Sequence, residues 1–311
     1  MMRETYEAID AFHYSGLKTF AKCPRLYFEK YIEKSYVEPD RDYFIYGHLV
    51  DCLVTQPETL DERFIRVSRR VDGSTLDLEV KCHGLENEIN EKQVLAQSGN
   101  KTAIKGIESR QKKLVELRQQ IEEAKAFGDK MQVPASIWDN AHATAEEIKK
   151  LPLHNELLEK GFICSPQQVL LGHEGAERKG IIDLLYVKDK QAVIVDIKTT
   201  YKLTDLDPLI YAGQLAYYKY IVEENGYEVL DCYALVGDKG ERSLAQDFRY
   251  SSDTLESALA EVLRTESILK DSLETDAWPS AKSFRGREQE CFTCSRCSVR
   301  PFSKENEPVT I

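Results

Sequence analysis

The chain lacks any uninterrupted apolar run approaching the roughly 20 residues that a membrane-spanning helix needs. Its opening, MMRETYEAID, places no apolar region behind a basic start, so no export signal is expected. No internal repeat and no long low-complexity tract is present. The phosphate loop Gly-x-x-x-x-Gly-Lys-[Ser/Thr] is also missing, so any ATPase motor would have to come from another chain. A soluble protein of the cytoplasm is expected, or of the host cytoplasm if phage-encoded, with no membrane partner.

Positive charge is scarce too. Lys and Arg number 42 against 53 Asp and Glu, a net charge of −11. That balance argues against broad electrostatic attraction to nucleic acid, which relies on Lys and Arg. It does not exclude a metal-bridged contact, because a site for divalent cations is itself acidic and the cations then meet the phosphates. Basic clusters do occur at Arg66, Arg69 and Arg70, at Lys101 to Lys113, at Arg178 and Lys179, and at Arg285 and Arg287.

What is present suits a folded domain. The 311 residues are 42% hydrophobic, enough for a sizeable core. Residues 14–35 read as a helix entered at Ser15 and interrupted at Pro24, and 43–54 as a buried helix. Ile104, Ile107, Leu114, Leu117 and Ile121 recur at helical spacing among charges. A further helix is expected over about 134–159, broken near Pro152. The stretch 80–160 thus reads as a mainly helical insertion within a single domain over 1–311.

Strand signal begins at 167. QQVLL, IIDLLYV (181–187) and AVIVDI (192–197) are short and rich in β-branched residues, and KDKQ between the last two reads as a turn. A helix over about 206–224, a strand over 229–236 and a helix over 253–272, capped by Asp253 with Glu256, complete the pattern. The expected fold class is α/β (α+β), a central mixed β-sheet flanked by helices.

The chemistry concentrates in Gly180-Ile-Ile-Asp183 and Asp196-Ile-Lys198. Side chains alternate along a strand, so Asp196 and Lys198 share a face. If the two segments pair as a hairpin, Asp183 lies beside them. Charges inside apolar strands are costly unless paired or metal-bound. A bland arrangement would be a lysine bridging an aspartate at a sheet edge. A functional one would hold a hard cation on carboxylate oxygens, beside a lysine able to orient a water. On the next helix Gln214 and Tyr218 stand at i and i+4, on one face.

Asp183 with Asp196-x-Lys198, followed by Gln214-x-x-x-Tyr218, resembles the PD-(D/E)xK nuclease superfamily and its RecB-type, exodeoxyribonuclease VIII-like branch. The opening Tyr14-Ser-Gly-Leu, then Cys23-Pro-Arg and Tyr27, resembles the first motif of that branch. The branch commonly has Gly-x-x-x-His with the histidine as a metal ligand. Here Gly47-His-Leu-Val-Asp51 puts an aspartate at that position, with His48 just after the glycine. Asp51 is the preferred ligand, since oxygen donors suit Mg²⁺ and Mn²⁺.

The resemblance spans about 14–297 and implies a restriction-endonuclease-like core. It implies Asp51, Asp183 and Asp196 holding Mg²⁺ or Mn²⁺, Lys198 activating water, and Gln214 and Tyr218 positioning DNA. It also implies exonucleolytic hydrolysis in recombination, repair or phage DNA processing. A recombinase, a single-strand annealing protein or a helicase would be the partner, and a homo-oligomer is open. The rival is a non-catalytic or partner-dependent DNA-binding subunit of a helicase–nuclease complex.

Of eight cysteines, Cys52, Cys82, Cys164 and Cys232 are scattered and read as inert thiols. Cys291, Cys294 and Cys297 form a run with metal-ligand spacing. In the iron–sulfur branch of the superfamily one N-terminal cysteine joins three C-terminal ones. The resemblance therefore implies that Cys23 completes a [4Fe–4S] cluster closing the 291–297 run onto the N-terminal helix, with Zn²⁺ as the alternative.

Overall fold

A computed structural model describes residues 6, 8–36, 42–68, 70, 75–97, 101–128, 130–172, 177–240 and 244–279. In chain order the elements are α1 (Tyr14–Lys22), α2 (Pro24–Tyr27), a π-helical turn (Phe28–Ile32), α3 (Asp42–Thr55), α4 (Leu60–Arg63) and β1 (Phe64–Val67). Then come α5 (Thr75–Gln97), α6 (Lys101–Phe127), β2 (Met131–Pro134), α7 (Ala135–Lys149), α8 (Leu153–Glu159), β3 (Ile163–Leu171), β4 (Lys179–Lys188) and β5 (Gln191–Thr200). Last are α9 (Ala212–Glu224), β6 (Glu228–Asp238), β7 (Ala245–Arg249) and α10 (Ser252–Thr275). No helix among the described residues is long and apolar enough to cross a membrane.

The chain divides into two compact units. The first takes Met1–Arg41, Val54–Gln56 and Ala143–Ile311. Its sheet has the order β3-β4-β5-β6-β7, antiparallel throughout except for the parallel β5–β6 pair. Helix α9 is the crossover that a parallel pair requires. The centre of β5, Val193-Ile194-Val195, is buried and apolar on both faces, as expected of a covered interior strand. The principal core gathers Ile194 and Leu185 from the sheet, Leu17 and Phe20 from α1, Leu215, Tyr217 and Ile221 from α9, and Val262 and Leu269 from α10.

Behind the sheet, Thr144 at the C-terminal half of α7 donates its hydroxyl to the Asp238 carbonyl at 3.0 Å. Gly237 is required there, since an added Cβ would collide with the Thr144 methyl. His154 of α8 hydrogen-bonds the Tyr186 hydroxyl at 2.7 Å on β4.

The N-terminal segment is tied to the start of β4. Phe12 pairs with Arg178, and the buried Lys179 ammonium donates to the carbonyls of Tyr6 (2.9 Å) and Ile9 (2.6 Å). Arg178 forks onto the buried Glu266 of α10 with two bonds of 2.9 Å. These ties fix the entry of α1, the helix that flanks the site described below.

The second unit takes Asp42–Leu53 and Pro57–His142. Helices α5 and α6 form an antiparallel hairpin closed by Leu78, Cys82, Leu117 and Ile121. It is laced by Glu79–Lys125, Glu86–Arg118 and Glu88–Arg110 pairs. Strands β1 and β2 pair in parallel, with Phe64 opposite Met131.

Several boundaries differ from the sequence reading. Helix α1 is capped by His13, whose Nδ1 accepts from Gly16 N, rather than entered at Ser15. Helix α9 starts at Ala212 rather than near 206. Pro208 and the Asp207 side chain, which accepts from Leu209 N, hold a 3₁₀ turn before it. Helix α10 is capped by Ser251, which accepts from Thr254 N, in place of Asp253 with Glu256. The β1–β2 pair and β7 carry too little periodic signal to be read from sequence.

Candidate active site

Strands β4 and β5 pair from Lys188↔Gln191 as far as Leu184↔Val195. One further step would set Asp183 opposite Asp196. The ladder ends there although both strands continue. In place of the next rung, the Asp183 side chain inserts and its Oδ2 accepts from the Ile197 backbone N–H at 2.8 Å. A polar gap thus opens at the end of an otherwise apolar hairpin.

Asp196 lies on the same face of β5 as the core residue Ile194 and is fully buried. Neither of its carboxylate oxygens accepts a hydrogen bond from the described residues. Its compensation is electrostatic: the Lys198 ammonium stands 2.5 Å from Oδ2. A buried carboxylate with hydrogen-bond-free oxygens is an expensive arrangement. It suits a site in which a cation takes up those oxygens when bound. Among the described residues no group of three or more His, Cys, Asp or Glu side chains is gathered for a metal. Two carboxylates still fit Mg²⁺ or Mn²⁺, because such ions commonly keep several waters and complete their shell with substrate phosphate.

Helix α9 supplies the roof. Gln214 Nε2 donates to the Tyr218 hydroxyl at 2.8 Å, so the i, i+4 pair foreseen on one face is in direct contact. Burial, then Asp196 and Asp183, push the Tyr218 phenol well above its ordinary pKa, which keeps the hydroxyl protonated as a donor. Gly180 lets the ring lie down on β4, since an added Cβ there would come within 3.0 Å of its Cε1.

Helix α1 supplies residues that sequence reading did not assign to the site. The Tyr14 hydroxyl stands 2.7 Å from where a Cβ on Gly213 would sit, against the first turn of α9. Burial raises the Tyr14 phenol pKa, with Asp196 adding and Lys198 opposing. One turn on, burial and then the like charge of Lys198 depress the Lys18 ammonium, with Asp196 opposing. Tyr211, just before α9, is raised by burial and feels the same two groups. The i, i+4 spacing of Tyr14 and Lys18 inside the opening motif is the signal that could have shown them.

The remaining sequence candidates are on other elements. His48 and Asp51 are half-buried on α3, in the second unit. Cys23 is fully buried at the joint of α1 and α2. Cys291, Cys294 and Cys297 lie outside the described residues.

A mixed five-stranded sheet flanked by helices, with two aspartates and a lysine where its central hairpin parts, is consistent with a nuclease fold. The chain belongs to the PD-(D/E)XK nuclease superfamily, whose model matches residues 11–302. Among solved structures it is similar to a "Putative exonuclease" from Eubacterium rectale, with 15% identity, a TM-score of 0.55, and coverage of 98% of this chain and 96% of that one. Two slighter likenesses are to LHK-Exo in complex with dAMP and to SSO0001. For LHK-Exo the identity is 15%, the TM-score 0.28, and the coverage 54% of this chain and 83% of that one. For SSO0001 the values are 14%, 0.27, 53% and 68%. No curated protein matches the sequence.

Proposed function

We propose that this chain is a Mg²⁺- or Mn²⁺-dependent deoxyribonuclease, an exonuclease of the RecB-type, exodeoxyribonuclease VIII-like branch. The observation that carries the reading is Asp196: fully buried, its oxygens accepting no hydrogen bond from the described residues, beside Lys198 and at the gap that Asp183 fills. When bound, the cation lowers the pKa of a coordinated water and offsets charge on the phosphodiester. Asp183 and Asp196 hold that cation. Lys198 orients the attacking water. Gln214 and Tyr218 place a strand against the site through the Tyr218 hydroxyl, and Lys18 adds a positive charge for phosphate.

Support for DNA as substrate comes from family membership and from the Lys198 ammonium beside the Asp196 carboxylate. Linear DNA labelled at one end, single- or double-stranded, tests it. Short labelled products are expected with Mg²⁺ or Mn²⁺ and none with EDTA. Intact DNA in every condition would favour a non-catalytic or partner-dependent DNA-binding subunit.

On the resemblance of Gly47-x-x-x-Asp51 to the family pattern, Asp51 is a metal ligand too. Asp51→Ala is expected to weaken Mn²⁺ binding by at least about 10-fold, the scale of losing a group that tunes a metal site. Calorimetric titration giving wild-type affinity would remove Asp51 from the site. The same resemblance assigns Cys23, Cys291, Cys294 and Cys297 to a [4Fe–4S] cluster. Anaerobically purified protein should then carry iron and broad visible absorbance, and zinc without iron would replace the cluster.

A further inference from the structure

The backbone of strand β3 is irregular at one residue. Pro166 pairs with Leu184 and Gln168 with Ile182, so Gln167 lies directly across from Asp183 in unbroken register. Gln167 has φ +48°, in the left-handed region that non-glycine residues rarely occupy. Strain of this kind persists where the surroundings over-determine it, and it clusters at functional sites. Its half-buried side chain donates from Nε2 to Asp183 Oδ1, at 3.4 Å, the long end of a hydrogen bond.

The second oxygen of Asp183 is held by the Ile197 N–H. The carboxylate is thus held from two neighbouring strands, β3 on one side and β5 on the other. A carboxamide is suited to this task. It donates to Asp183 without adding negative charge beside two carboxylates that already share a gap.

We infer that Gln167 is a positioning residue for the metal site, its left-handed backbone, directly across from Asp183, aiming the amide that fixes the Asp183 carboxylate. The inference rests on the reading of Asp183 as a metal ligand. Partners that orient ligands tune metal affinity by roughly 10- to 100-fold.

Gln167→Gly separates the two roles of the residue. Glycine adopts positive φ without strain, so the local backbone conformation survives and the metal-free protein is expected to melt no lower than wild type. The amide is lost, so the Mn²⁺ concentration for half-saturation, read by calorimetry, is expected to rise about 10-fold or more. Gln167→Asn, which also tolerates positive φ but draws the amide back by one carbon, is expected to weaken binding in the same direction. It decides the matter if the glycine variant loosens β3.

Wild-type Mn²⁺ affinity in both variants, with Asp183→Asn abolishing binding, would overturn the role of Gln167 and leave the metal site standing. Absence of Mn²⁺ binding in the wild-type protein would overturn both.

Discussion

Asp196→Asn is expected to abolish metal-dependent cleavage while leaving the metal-free protein about as stable as wild type. The two halves of this result have separate causes. Asn keeps the shape of the side chain but removes the charge that a divalent cation needs, and cleavage should fall on the order of 10³-fold, the scale of losing one preorganised electrostatic group. In the absence of metal, Asp196 is a buried charge whose oxygens accept no hydrogen bond from the described residues. Its neutral isostere no longer bears that desolvation cost. The partner left behind, Lys198, keeps 24% of its side chain exposed and can extend its ammonium toward water. Thermal melting in EDTA, together with a cleavage time course in Mn²⁺, checks both halves. A variant that melts far below wild type would show Asp196 to be a structural ion-pair member.

Lys198→Ala should behave in the opposite way without metal. It leaves the Asp196 carboxylate buried and without its counter-ion. Breaking a buried pair from this side costs about 3–5 kcal/mol. Added Mn²⁺ should restore much of that loss, because a ligand that binds only the folded state stabilises it in proportion to its occupancy. Metal affinity should match or exceed wild type, since the ammonium and the cation compete for the same carboxylate. Cleavage should nevertheless drop by roughly 10²- to 10⁴-fold, the range for losing a group that orients or activates the attacking water. Melting curves with and without Mn²⁺ test this directly. Equal curves for Lys198→Ala and wild type in EDTA would mean that Lys198 does not compensate Asp196.

The opposed stability effects of these two substitutions follow from one asymmetry. Asp196 is sealed in the core and Lys198 reaches solvent, at 1% and 24% side-chain exposure. Sequence alone shows that both charges share a strand face, because alternation along β5 is fixed by covalent geometry. It cannot show which of the two is sealed. That depends on how α1 and α9 cover the end of the hairpin.

The same division runs through the rest of the fold. The β4–β5 hairpin and the Gln214–Tyr218 contact are local, so spacing alone announces them. Gln167 and Lys18 are distant in sequence from the residues they meet. Their signals are the pairing of β3 against β4 and the reach of α1, both tertiary. Strands β1 and β2 are four residues each, too short for a pattern, and their pairing joins segments separated by the whole α5–α6 hairpin. Strand β7, Ala245–Arg249, has no fully buried residue and reads as loop. The cap of α10 was missed by two positions because Ser251 and Asp253 are both good N-caps. Only the backbone decides between them.

The most direct test of the account is digestion of end-labelled linear DNA by wild-type protein and by Asp183→Asn, with Mn²⁺ and with EDTA. The asparagine can still accept from Ile197 N–H, so the hairpin gap is preserved while the charge is lost. Cleavage by the wild type in Mn²⁺ alone, with none by the variant, is the predicted result. Equal degradation by the two proteins, or degradation that persists in EDTA, would contradict a metal-dependent centre built on Asp183, Asp196 and Lys198.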